Sequence, residues 1–141
     1  MADYTPVFTP SKVIPLTASG AVAGGDILAV SGDGTVAKCT SLAATSYIGV
    51  AGNDAAANAR VTVYCRGYVH ESVADGTVTA GDQVTTTSTA GRQVKSLPAA
   101  NISGVPPLAG DINTAVNNAR AVIGVALKTA ADNAKVRWME F

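Results

Sequence analysis

The sequence is poor in the side chains that carry chemistry: among 141 residues there are one histidine, two cysteines, one tryptophan and two phenylalanines. The lone histidine lies in HESVAD (70–75), so a His70, Ser72 and Asp75 triad can be written down. Closeness in sequence does not make triad geometry, and no nucleophile elbow or oxyanion loop accompanies these residues. We expect His70 at a solvated strand end and assign no catalytic residue. Cys39 and Cys65 lack the close spacing of zinc ligands. Free, partly buried thiols are expected rather than a disulfide, as suits a reducing cytosol. GDGT (32–35) has neither the glycine span nor the Lys-Ser/Thr ending of a phosphate loop. No metal and no cofactor are expected.

Net charge is also missing. Ten basic and ten acidic residues balance to zero, and no Lys/Arg cluster offers the basic face that phosphate neutralisation needs. Nucleic acid is therefore not an expected partner. No apolar run approaches membrane-spanning length, so a membrane is not expected either. The first twenty residues lack a charged segment followed by an apolar one, which points away from a signal peptide and towards a soluble chain made in the cytosol.

What the chain has in abundance is small residues and repetition. It contains 26 alanines, so a core is affordable at this length but is built of small bricks, and self-association or a partner surface is a plausible supplement. Residues 46–63, SYIGVAGNDAAANARVTV, match residues 121–138, AVIGVALKTAADNAKVRW, at nine of eighteen positions without a gap. GAVAGGDIL (20–28) is answered by GTVTAGDQV (76–84) at Gly20/Gly76, Val22/Val78, Gly25/Gly81 and Asp26/Asp82. The offset grows from 56 to 75 between the two blocks, so the second copy carries an insertion, placed at residues 97–120. Such repetition decides what counts as one unit. We read two copies of one β unit, about 13–67 and 69–141, within a single β domain spanning 13–141, preceded by an extended arm over 1–12.

Eight stretches carry strand signals: DILAV (26–30), TVAKC (35–39), YIGVA (47–51), RVTVYCRGYV (60–69), QVTTT (83–87), QVKSL (93–97), VIGVAL (122–127) and KVRWMEF (135–141). Short β-branched strands broken by Gly, Asp and Asn point to an all-β barrel or sandwich; one closed barrel and two facing sheets both remain open. The repeated Gly-Asp pair is expected to be a turn, with the glycine at positive φ and the carboxylate bonding backbone N–H groups, rather than a paired-acid site. A short helix is expected near Asp111, with Ile112, Ala115, Val116 and Ala119 on one face. Residues 52–58 and 127–133 are expected to be polar loops or single helical turns. Lys38 and Lys95 fall within strands rather than at a hairpin tip, which argues against a carrier module displaying a modified lysine.

In the N-terminal segment, prolines at 6 and 10 fix an extended path with Tyr4, Val7 and Phe8 as anchors. Such an arm can dock on a neighbour or fold back on its own barrel. At the other end, Trp138 and Phe141 are expected in the core or at an interface. The arm DYTPVFTP, the run VIPLTASGAVAGGDILAVSGDGTVAK, the two IGVA phrases and the Ala/Gly/Thr/Val-rich composition together resemble a head decoration, or cement, protein of tailed bacteriophages. That resemblance implies a small β-barrel or β-tulip-like domain, commonly a homo-trimer, with no enzymatic role. It implies binding to major capsid proteins on the exterior of the expanded head, and stabilisation of the contacts between them. Under it, Tyr4, Pro6, Val7, Phe8, Trp138 and Phe141 would contact capsid or sister subunits. A virion-surface module for a host receptor or glycan is the competing reading.

Overall fold

In the computed structural model, which describes residues 12–97 and 108–141, the two copies of the repeat become two five-stranded closed barrels. The first is built from β1 (Lys12–Ala18), β2 (Ile27–Gly32), β3 (Thr35–Lys38), β4 (Tyr47–Ala51) and β5 (Arg60–Cys65), in the spatial order β1-β3-β2-β4-β5. The second uses β6 (Val69–Ala74), β7 (Gln83–Thr86), β8 (Gln93–Ser96), β9 (Gly124–Ala126) and β10 (Lys135–Glu140), in the order β10-β6-β8-β7-β9. Matched strand for strand, the two circuits are identical, down to one parallel pair each, β1 with β3 and β6 with β8. Neither a single barrel nor a pair of facing sheets describes the chain, because each half closes on itself. Closure satisfies the edge hydrogen bonds that strands of three to seven residues would otherwise expose.

The repeated phrases have repeated mechanical tasks. Gly25 and Gly81 take φ of 89° and 93°, and the following carboxylates accept backbone N–H bonds, Ala23 to Asp26 Oδ2 and Thr79 to Asp82 Oδ2, both at 2.9 Å. The Gly-Asp pair is thus a self-bonded turn, as expected. A β-branched side chain there must hold a left-handed backbone. Gly25→Val and Gly81→Val should each lower stability by about 1–2 kcal/mol, read as paired shifts of the urea midpoint; a shift at one site alone would show that the turns are not equivalent. In the IGVA phrases the glycine serves close approach instead. A Cβ on Gly49 would lie 2.2 Å from the Tyr64 carbonyl oxygen, and one on Gly124 would lie 2.2 Å from that of Met139.

Leu28, Val36, Val61 and Val63 fill the first barrel, while Val84, Val94, Val136 and Trp138 fill the second. Strands β2 and β4 are buried on both faces: Leu28 and Ala51 point into their own barrel, whereas Ile27 and Val50 pack into the core of the other. Polar ties run along the same seam. The Ile27 N–H donates to the Gly91 carbonyl at 2.6 Å, the Ala44 N–H to Thr86 Oγ1 at 2.9 Å, and Arg92 reaches Asp26 at 3.4 Å. The alanine-rich core is therefore supplemented by a second barrel on the same chain.

The helix α1 (Ala109–Arg120) lies between β8 and β9, where the change of offset placed the insertion. At twelve residues it runs three turns, and none of its residues is buried; Ile112 and Val116, on the expected apolar face, are 46% and 51% exposed. Two strands departed from the expected set. The stretch 60–69 is not one strand, because Arg66 and Gly67 take φ of 36° and 89° and break it into β5 and β6, the point where one barrel hands over to the other. Strand β1 is interrupted by Pro15, and β6 sets His-Glu-Ser just after its first valine, which masks the strand signal in both.

Candidate functional site

Register explains where the two barrels diverge. In the first, Ile14 of β1 faces Val63 of β5; at the matching place in the second, His70 of β6 faces Trp138 of β10. Two positions further along β5 and β10, Cys65 is replaced by Glu140. The second barrel thus trades a small apolar plug for an aromatic and polar one. Trp138 is fully buried, its indole Nε1 donates to Ser72 Oγ at 3.0 Å, and its ring packs against His70 with centroids 5.2 Å apart. His70 Nε2 lies 3.2 Å from Glu140 Oε2, and the Tyr47 hydroxyl, from the first barrel, donates to Glu140 Oε1 at 2.7 Å.

This overturns the expectation of a solvated His70. The imidazole is 0% exposed because β6 is a strand and alternation turns His70 and Ser72 inward together. It also disposes of the imagined triad. Ser72 Oγ is taken by Trp138, His70 is held by Glu140, and Asp75 bonds instead to the hydroxyls of Thr87 and Thr89, with Lys95 at 3.8 Å. The Thr87 hydroxyl foremost, with Thr89 and Lys95, keeps the Asp75 carboxyl below its ordinary range, as Ser96 and the Thr79 N–H do for Asp82. Both are stably ionised turn anchors. Cys39 and Cys65 are free thiols, as expected, and burial, reinforced by the Glu140 carboxylate, pushes Cys65 up and so away from nucleophilic use. Among the described residues no group of three or more His, Cys, Asp or Glu could hold a metal ion, and no helix is long and apolar enough to cross a membrane.

Above the buried pair the barrels part to form a cleft of about 520 Å³. The first barrel contributes Tyr47 and Ile48 from β4, Lys12 from the start of β1, and Cys65 and Arg66 from the end of β5. The insertion and second barrel contribute Arg120, Val122, Ile123 and Phe141. Its walls mix apolar and polar surface, its charged side chains Lys12, Arg66 and Arg120 are cationic, and the Tyr47 in its lining is braced by a bond to Glu140. No sequence motif announces it, since its residues come from five separate places in the chain. The one available signal was that Cys65 and Glu140, which break the repeat, stand at equivalent positions beside it.

Of the residues singled out from the sequence, Tyr4, Pro6, Val7 and Phe8 lie outside the described residues. Trp138 is a core residue whose surface is consumed by its own barrel, and Phe141 stays 49% exposed on the cleft.

A tandem of closed barrels, with a cleft where the two part, defines an all-β module. The chain belongs to the phage cement protein family, whose model matches residues 8–139. Among solved structures it is similar to the head fiber gp8.5 N base of bacteriophage phi29, with a TM-score of 0.56 and 18% identity over 92% of this chain and 93% of that one. At that identity the likeness is one of fold. No curated protein sequence matches the chain. Family membership gives the protein a structural role at the phage capsid and a place in the virion.

Proposed function

We propose that the protein is a non-enzymatic decoration protein that binds the exterior of the expanded head as a homo-trimer and bridges neighbouring major capsid proteins. The observation that carries this reading is the family match across nearly the whole chain. Physics supplies the reason for such a clamp. A pressurised shell is weakest where subunits meet, and a ligand that binds only the assembled, expanded state stabilises it by mass action, without covalent chemistry. In this reading Tyr4, Pro6, Val7 and Phe8 of the arm, together with Phe141, contact capsid or sister subunits, while Trp138 supports the surface from within.

Co-sedimentation with expanded, DNA-filled heads and with unexpanded precursor shells tests it. Saturable binding to expanded heads alone is the expected result; a folded protein that binds neither would overturn it and bring receptor or glycan binding forward, to be read on a glycan array. Deleting residues 2–10 should abolish shell binding and leave thermal unfolding unchanged, because an extended arm contributes main-chain and aromatic contacts to a partner rather than to the barrels. Full binding by the truncated protein would remove the arm from the interface.

A further inference from the structure

We propose that the cleft between the barrels grips a carboxylate-bearing, apolar segment of the major capsid protein; this rests on the decoration reading and names the partner chemistry at one site. The first support is charge placement in a chain of zero net charge. Outside the cleft Arg92 sits on Asp26, Lys95 on Asp75, and Lys135 and Arg137 on Glu71, while Lys38, Arg60 and Lys128 stand apart from one another on the rest of the chain. Lys12 of β1 and Arg120 of α1, both exposed, face the same cleft as Arg66, and neither Lys12 nor Arg120 makes an ion pair with any described residue. The α1 macrodipole accounts for a cation at Arg120, in the last turn, but not for Lys12 across the gap.

The second support is the lining. Ile48, Val122 and Phe141 face a space large enough for a few side chains. A bare anion would leave those apolar walls wet, whereas a peptide bearing an acid beside aliphatic or aromatic residues would satisfy both halves of the site. The third is topology. Both sheets are closed, so the described strands offer no free edge on which a partner could add a strand. A partner held by this part of the molecule has to be held by side chains, and the hydrogen bond from Tyr47 to Glu140 fixes the floor in advance, which lowers the ordering cost of binding.

The test uses full-length protein on expanded heads. Lys12→Glu combined with Arg120→Glu should weaken shell binding by about tenfold or more, with an unchanged unfolding curve since both side chains are exposed, and should flatten the salt dependence that the wild type shows. In parallel, Phe141→p-benzoylphenylalanine, irradiated on the shell, should cross-link to an Asp- or Glu-containing segment of the major capsid protein. Undiminished binding by the charge-reversed protein, or cross-links only between copies of this chain, would overturn the cleft assignment and leave the decoration role standing. Failure of the wild type itself to bind heads would overturn both.

Discussion

Gly49→Ala and Gly124→Ala are each expected to cost about 1–3 kcal/mol of stability or more, although alanine is the smallest possible insult. The atom that a new Cβ meets is in each case a backbone carbonyl oxygen at 2.2 Å, on β5 for Gly49 and on β10 for Gly124. A flexible side chain could swing aside; a carbonyl fixed in a ladder cannot move without its strand. Gly124 pairs with both Glu140 and Val84, so displacing it strains β7, β9 and β10 together. Urea denaturation reads the effect, and Gly110→Ala is the control: in α1 a Cβ meets nothing within 4 Å, so helix propensity alone should make that change neutral or mildly stabilising. Wild-type midpoints for both strand variants would mean that the IGVA glycines serve no packing purpose.

Glu140→Ala should be more damaging still, by about 3–5 kcal/mol, with a fall in melting temperature on the order of 10 °C. The side chain is fully buried and bonds two groups, the buried His70 imidazole and the half-buried Tyr47 hydroxyl. Removing the acceptor takes from each partner a bond that offsets its burial. The first barrel suggests the compensating change. At the equivalent places it carries Ile14 and Cys65, so His70→Ile with Glu140→Cys rebuilds its apolar solution inside the second barrel and should recover part of the loss. If Glu140→Ala melts like the wild type, the buried pair contributes nothing and the polar plug is incidental.

How far the fold could be read in advance follows from the range of the interactions. The Gly-Asp turn is local: φ at Gly25 and the bond from Ala23 to Asp26 involve four consecutive residues, and both were legible. So was α1, whose periodicity is intrinsic. The repeat made the duplication plain, yet not its outcome, because whether two copies pair into one sheet or close separately depends on strand neighbours far apart in sequence. His70 was misread for the same reason. Its neighbours Glu71 and Ser72 are polar, and the groups that make burial affordable, Glu140 and Trp138, come from the far end of the chain. The cleft was wholly hidden, being assembled from strand ends that only closure brings together.

The seam between the barrels has a direction. Ile27 is the residue by which the first barrel receives the second, and its counterpart on the second barrel is Gln83, which faces solvent. At this position the duplicate has turned hydrophilic. A third unit, or the first barrel of another molecule, would meet Gln83 where Ile27 seats the second barrel, although Val125, the counterpart of Val50, stays apolar. A polar residue at that position disfavours adding a further barrel on that face, as the polar capping units of a solenoid do.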